Sequence, residues 1–328
     1  MKCINKWICL SLLIVVSCVS GCGKTSAAIE QPYDVYATAA DFGLSSNGTA
    51  EAKSYFASDF CVSEDVAIGT DSTDSQVAEG AGTFNLETNT VVYAKNLYER
   101  LYPASTTKIL TAYIALKYCD DLDAMVTVSE NAVNQASDSS VCNLKAGDVI
   151  RLRDLLYGLM LRSGNDAAVA IAEYISGDVD SFAALMNQEA AAMGATRSHF
   201  VNPNGLPDEN HYTCVYDMYL IFSNAIKNDT FVSIIGTTSY DVTYTDASGE
   251  AVTHTWENTN QYLTGNATTP DGFQIVGGKT GTTGEAGYCL VLYSYNPSGQ
   301  PIISIVFKAD GKSNLYLLMN EMLQGFAI

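Results

Sequence analysis

The sequence predicts a mixed α/β (α+β) fold: an antiparallel sheet built from strands at both ends of the folded region, with helices inserted between them and flanking it. Three observations carry this prediction. β-Branched and aromatic runs occur on either side of Glu87-Thr88-Asn89-Thr90, and again on either side of Asn296-Pro297-Ser298-Gly299, as in antiparallel neighbours. Between those regions, apolar residues recur at helical spacing in five segments. With 47% hydrophobic residues in 328, the chain also has ample material for a packed core.

The N-terminal residues read as an export signal. Lys2 and Lys6 form a basic start, and Trp7 through Val19 is an apolar run too short and wrongly flanked for a membrane span. Small residues in Val19-Ser20-Gly21-Cys22 directly precede a cysteine, which resembles a bacterial lipobox. The expectation is a lipoprotein signal peptide over residues 1–22, cut before Cys22, which then carries the lipid. An ordinary signal peptide is the alternative, and Cys18 is a second candidate for modification. Residues 23–58, rich in Ala, Ser, Thr, Gly and Asp with weak periodicity, read as a flexible spacer. Ordered structure is expected from about Phe60.

A β-hairpin is predicted from Thr83-Phe84-Asn85-Leu86 and Val91-Val92-Tyr93-Ala94. Pro103 then opens a helix running through Lys117, with Ile109, Leu110, Tyr113, Ile114 and Leu116 as its apolar set. Further helices are predicted over residues 151–162, 166–176, 180–193 and 217–226, with Gly194 as the C-terminal stop of the fourth. After Thr230 the character turns to strand. Residues 240–244 and 252–256 straddle Asp246-Ala247-Ser248-Gly249, and 287–295 and 301–308 are adjacent strands. Residues 314–324 form a closing helix. All strands are assigned to one antiparallel sheet.

Charge excludes some partners. Asp and Glu number 36 against 17 Lys and Arg, for a net charge of −19. That field repels nucleic acid, and an anionic small substrate needs a local cationic pocket. Of nine cysteines, Cys3, Cys9, Cys18 and Cys22 belong to the export segment. Cys61, Cys119, Cys142, Cys214 and Cys289 are odd in number and lack any CxxC spacing, so they read as mostly free, buried thiols. One disulfide, Cys119 with Cys142, is the alternative.

Three short motifs in fixed order carry the chemistry: Ser105-Thr106-Thr107-Lys108, Ser163-Gly164-Asn165 and Lys279-Thr280-Gly281. Ser105 and Lys108 lie three apart at a helix start, which puts both on one face. A serine hydroxyl is a weak nucleophile, and a neutral lysine amine beside it can accept its proton. Burial or a neighbouring cation must hold that lysine neutral. Ser163-Gly164-Asn165, between two helices, supplies a hydroxyl and an amide for proton relay and positioning. Lys279-Thr280-Gly281 reads as the opening of a strand whose edge pairs with an extended peptide, while Lys279 and Thr280 offer a carboxylate its cation and hydroxyl. Lys279 also helps to depress Lys108. S-x-x-K alone means little, since about one chance match is expected in a chain this long. The ordered trio is far more specific.

The residues around these motifs extend the pattern. Pro103-Ala104-Ser105-Thr106-Thr107-Lys108, Ser163-Gly164-Asn165-Asp166-Ala167-Ala168, His199-Phe200-Val201-Asn202-Pro203-Asn204-Gly205-Leu206, Asn258-Thr259-Asn260 and Gly278-Lys279-Thr280-Gly281 resemble the serine D-Ala-D-Ala carboxypeptidases. These are the low-molecular-weight penicillin-binding proteins, peptidase family S11 of the β-lactamase/transpeptidase-like superfamily. The resemblance covers about residues 83–328. It implies a five-stranded antiparallel sheet flanked by helices plus a mainly helical subdomain, in a catalytic domain over 59–328. It also implies a D,D-carboxypeptidase of cell-wall biogenesis that removes the terminal D-Ala of peptidoglycan stem peptides and is acylated by β-lactam antibiotics.

By that likeness Ser105 is the acylated nucleophile, Lys108 the base, and Ser163 and Asn165 the relay and positioning pair. Lys279 and Thr280 hold the terminal carboxylate, with Gly281 and Thr282 lining the substrate strand. The backbone N–H groups of Ser105 and Thr282 form the oxyanion hole. The likeness implies no cofactor and no metal, and a place on the extracytoplasmic face of a bacterial membrane; the lipobox pattern at Cys22, not the likeness, supplies the expected lipid anchor. Two departures stand out. Only enough chain follows Gly281 to finish the sheet and one helix, where many relatives add a β-rich domain and a membrane helix. Thr282 stands where some relatives have His or Tyr.

Other readings are weaker. His199 and His211 lie near Asp208 and Glu209, yet no zinc-ligand spacing exists, and loop packing is preferred. A Ser-His-Asp triad lacks a nucleophile elbow. A β-lactamase shares the three motifs but normally has Ser-Asp-Asn where this chain has Ser163-Gly164-Asn165, and it needs a carboxylate for the deacylating water that the sequence does not place. A non-catalytic penicillin-binding lipoprotein does not require the nucleophile–base pair.

Overall fold

Strands from the two ends of the folded region meet in one sheet, as the patterns at 83–94 and 287–308 require. The computed structural model describes residues 59–328; the expected export signal, Cys22 and the expected 23–58 spacer lie outside the described residues. Strands β1 (Ala78–Asn85) and β2 (Thr90–Lys95) form the first hairpin. A 3₁₀ turn, Ala104–Thr107, runs into α1 (Lys108–Tyr118). Next come β3 (Met125–Thr127), the short α2 (Glu130–Val133) and β4 (Val149–Arg151). Helix α3 (Leu152–Tyr157) ends in a π-helical turn, Gly158–Arg162. Helices α4 (Asn165–Ser176), α5 (Val179–Ala192), α6 (Val215–Ala225) and α7 (Asp229–Ile235) follow. Strands β5 (Ser239–Thr245), β6 (Ala251–Glu257), β7 (Gln274–Thr283), β8 (Gly287–Tyr295) and β9 (Pro301–Ala309) precede the closing α8 (Lys312–Phe326).

The main sheet is five-stranded and antiparallel, in the order β2-β1-β9-β8-β7. Its registers, such as Thr83 opposite Ser304 and Lys279 opposite Val291, leave β7 as an edge. Both faces are buried, and residues alternate between them with the strand's period of two. Leu290, Leu292, Ile302 and Val306 pack with Leu315, Met319 and Met322 of α8. Val291, Ile303, Ile305 and Phe307 belong to the larger core on the opposite face. Helix α1 is the hub of that core, packed by α4, α5 and α6. Its Ile109, Leu110, Ala112, Ile114 and Ala115 are fully buried, and each large aliphatic side chain among them contributes about 1.5–3 kcal/mol by leaving water.

The structure corrects the sequence reading in several places. The strands do not share one sheet: β5 and β6 pair with β3 and β4 in a second, four-stranded sheet. β3 and β4 have three residues each, too few to display alternation. Residue 151 closes β4 rather than opening a helix. Helix α7 was not expected; it is short, and Asn228 caps it by accepting from the N–H groups of Thr230 and Phe231. β7 begins at Gln274, so Lys279 sits inside the strand rather than at its start. Cys119 and Cys142 are not bridged, and all five described cysteines are free.

Candidate active site

The first turn of α1 sets the geometry. Ala104 adopts φ 47°, a left-handed conformation that costs a non-glycine residue free energy, and it turns the chain so that Ser105 opens onto a cleft. Lys108 is fully buried, and its Nζ donates to Ser105 Oγ at 2.9 Å, Asn165 Oδ1 at 2.8 Å and the Asn204 carbonyl at 2.6 Å. Burial draws its pKa well below the ordinary lysine value, and the charge of Lys279 adds to the effect; Cys142 and Asp166 oppose it. The consequence is geometric. The amide and carbonyl oxygens accept but cannot donate, so a neutral amine keeps two N–H bonds to them and is left with its lone pair facing the Ser105 hydroxyl.

The second motif follows the π-helical turn. Ser163 takes φ 62° and Asn165 opens α4. The adjacent Asp166 carboxylate accepts from the N–H groups of Cys142, Leu144 and Ala167. It therefore pins the 138–144 loop over the cleft and is not available to activate water.

Edge strand β7 closes the other side. Lys279 is buried, and its Nζ donates to Ser163 Oγ at 3.0 Å and to the Thr280 carbonyl at 2.8 Å. Desolvation lowers its pKa to about 7. The hydroxyls of Thr280 and Thr259 are 2.6 Å apart. Gly281 eases a close approach here, since a Cβ would lie 3.0 Å from the Ser105 nitrogen and 3.1 Å from the Pro103 carbonyl oxygen, tighter than ordinary contact.

The cleft has two arms that share Ser105, Ser140 and Thr282. One, of about 220 Å³, is lined by Ser140, Ser163, Thr259, Thr280, Tyr288 and Lys312. The other, of about 240 Å³, is lined by Asn165, Asn204, Leu206, Asp138 and Glu285. All eight motif residues singled out in the sequence, from Ser105 to Thr282, therefore converge on one cleft, with one adjustment. The Lys279 ammonium faces Ser163 and a backbone carbonyl instead of the open cleft, and the cation that lines it is the exposed Lys312. Lys312 and the Asn204 carbonyl were missed. A solitary lysine at a helix start and a backbone oxygen carry no sequence signature, although Asn204 lies in a segment quoted for the resemblance. The carboxylates lining the cleft, Asp138 and Glu285, are both exposed. His199 and His211 are hydrogen-bonded to Asn210 and Thr107 respectively. No helix among the described residues is long and apolar enough to cross a membrane.

Comparison with known proteins gives the same picture. The family model for D-alanyl-D-alanine carboxypeptidases, peptidase S11, matches residues 69–311. The chain is 34% identical over 251 residues to the D-alanyl-D-alanine carboxypeptidase DacF of Bacillus subtilis, covering 75% of this chain and 61% of DacF. It is 34% identical over 265 residues to a D-alanyl-D-alanine carboxypeptidase of Streptomyces sp. strain K15, covering 76% of this chain and 88% of that one. The crystal structure of the Streptomyces K15 DD-transpeptidase superposes with a TM-score of 0.71 at 33% identity, over 77% of this chain and 98% of that one. The D-alanyl-D-alanine carboxypeptidase DacD of Francisella tularensis superposes with a TM-score of 0.66 at 27% identity, over 86% and 73% of the respective chains.

Proposed function

This chain belongs to the D-alanyl-D-alanine carboxypeptidase family, peptidase S11, and from that membership we propose that it is a serine D,D-carboxypeptidase acting on peptidoglycan stem peptides through an ester on Ser105. The observation that carries the proposal is the buried Lys108 amine, 2.9 Å from Ser105 Oγ with its other two partners both acceptors. Ser105 Oγ attacks the carbonyl carbon of the D-Ala–D-Ala bond as Lys108 takes its proton. The oxyanion forms between the N–H groups of Ser105 and Thr282. The C–N bond then breaks, and the departing D-alanine amine receives a proton relayed through Lys108 and Ser163. Water attacks the acyl-enzyme ester, returning the Ser105 hydroxyl and releasing the shortened peptide.

The substrate's terminal carboxylate lies against the hydroxyls of Thr280 and Thr282 with the Lys312 ammonium beside it, while Lys279 acts from beneath through Ser163 and its field on Lys108. A β-lactam follows the same course up to the ester. Its leaving nitrogen stays tethered to the acyl group and does not diffuse away, so the adduct persists. The Streptomyces K15 relative is named both a carboxypeptidase and a DD-transpeptidase. The two activities share the acyl-enzyme and differ only in whether water or an amine attacks it.

For cellular placement we propose export and a lipid on Cys22, holding the domain at the outer face of the membrane. The support is the basic, apolar and small-residue order of Lys2 to Cys22.

Mass spectrometry of the protein treated with benzylpenicillin tests the chemistry. The expected result is one intact penicilloyl adduct, mapped to Ser105, together with D-alanine release from a peptide ending in D-Ala-D-Ala; both are lost in Ser105→Ala. An adduct without any D-alanine release selects the non-catalytic binding protein. Rapid penicillin turnover selects the lactamase, and no adduct overturns the proposal.

A further inference from the structure

We propose that His211 is a positioning residue for acylation: its imidazole bolts the turn that carries Ser105 and Lys108 to the loop that presents the Asn204 carbonyl to the lysine. Nothing in the three motifs points to it, and it rests on the proposed chemistry at Ser105.

The loop in question is closed by an isolated β-bridge, His199 with Tyr212, and a second bridge, Leu101 with Thr213, ties down the residue that follows it. At its tip, the Asn204 carbonyl accepts from Lys108 at 2.6 Å and the Pro203 carbonyl accepts from Thr111 Oγ1 at 2.7 Å. Gly205, at φ 87°, passes so close to the turn that a Cβ there would lie 1.8 Å from the Ala104 carbonyl oxygen. His211 sits beneath this contact, 1% exposed, with the Phe200 ring edge-on to it at 5.4 Å.

Its two ring nitrogens reach the two parts separately. Nδ1 lies 3.2 Å from the backbone nitrogen of Val201, and Nε2 lies 2.9 Å from Thr107 Oγ1, on the residue directly before Lys108. A backbone N–H can only donate, so Nδ1 accepts and carries no proton. The proton of the neutral ring is then on Nε2 and donates to the Thr107 hydroxyl oxygen. Burial pushes the His211 pKa down to about 4, with Asp208 opposing and His199 and Lys108 reinforcing the shift, so the neutral ring prevails at neutral pH. A phenyl ring would fill the same space but join nothing. With both nitrogens engaged, the imidazole fixes the distance between the Lys108 backbone and the carbonyl that orients its amine, and thereby the direction of the lone pair towards Ser105.

The test compares the full chain with His211→Phe, His211→Gln and Thr107→Val, measuring saturable acylation by benzylpenicillin and normalising to titratable active sites and to thermal stability. His211→Phe and Thr107→Val are each expected to lower the limiting acylation rate about tenfold, with apparent affinity within about twofold. The Phe/Val double variant should fall no further than either single one, because both remove the same link. His211→Gln retains a donor near Nε2 and should recover most of the rate. Unchanged acylation per active site in His211→Phe overturns the proposal, as does additivity of the two substitutions. If the phenylalanine variant fails to fold, Thr107→Val, nearly isosteric with wild type, carries the rate comparison alone. Failure of the wild-type protein to acylate at all sinks the Ser105 chemistry instead, a separate outcome.

Discussion

A buried lysine is an expensive residue, and this site holds two. Lys108 and Lys279 are 0% and 1% exposed, and no carboxylate pairs with either Nζ; their partners are hydroxyl, amide and carbonyl oxygens. The linkage for Lys279 has a definite sign. Its pKa falls from 10.5 to about 7 on folding. Between those values the unfolded chain holds a proton that the folded chain does not, so stability from this group rises as pH climbs from about 7 to 10.5 and is fully lost below about 7. The cost at neutral pH is on the order of 5 kcal/mol, balanced by the rest of the core. Lys279→Met should therefore raise the melting temperature at pH 7 while abolishing acylation. Its advantage over wild type should shrink towards pH 10.5 in thermal melts across that range, and a variant less stable than wild type at pH 7 contradicts this account. The same desolvation bears on the base proposed for the first motif: burial draws the Lys108 pKa well below the ordinary lysine value, the direction that favours a neutral amine.

At the scale of elements, the site depends on close backbone approaches that side chains would prevent. The 202–206 loop lies flush on the 3₁₀ turn because Gly205 combines φ 87° with no Cβ, and Gly281 lets β7 run against the Ser105 nitrogen. Gly205→Ala should be the more damaging of the two substitutions. Its methyl meets the backbone carbonyl of Ala104 at 1.8 Å, where no flexible side chain can yield, and its φ is unfavourable for alanine. Acylation should fall at least about tenfold and stability by about 1–3 kcal/mol, read from penicillin-binding rates and denaturant midpoints. Gly281→Ala meets contacts of 3.0 and 3.1 Å, which a small shift of β7 relieves, so its loss should be partial. An order of effects opposite to this would show that the loop, not the strand, is the adaptable wall.

Across the whole molecule, the active cleft lies where the sheet-forming termini and the helical insertion meet. The turn that carries Ser105 and Lys108 comes from before the insertion, Ser163 and Asn165 from within it, and Lys279 from after it. Formation of the site therefore reports completion of the whole non-local fold. Anchoring belongs to this scale too. The lipid proposed for Cys22 would bring two or more acyl chains, enough for stable membrane attachment, and no helix among the described residues is long and apolar enough to span. Cys22→Ser should move the protein from the membrane fraction to the soluble fraction and leave the Ser105 penicillin adduct rate unchanged in the purified proteins. Retention of the serine variant in the membrane fraction would place the anchor elsewhere.

Much of this was legible in the sequence. Ser105 and Lys108 lie three apart on a helix, so local geometry alone brings them into contact. The hairpin at 78–95 and the β8–β9 pair announce themselves through alternation and turn residues. What the sequence could not yield are contacts between groups far apart along the chain. The split into two sheets rests on three-residue strands with no pattern of their own. The Asn204 carbonyl has the same chemistry as any other peptide oxygen and gains its role only because the loop docks on Lys108. The position of Lys279 behind Ser163, the exposure of Lys312 in the cleft and the tautomer of His211 are likewise set by packing. Residue identity determined which chemistry was possible, because side-chain type and local spacing are written in the chain. Tertiary structure decided which groups lose water and which oxygen each proton faces, because burial and long-range contact exist only once the fold is complete.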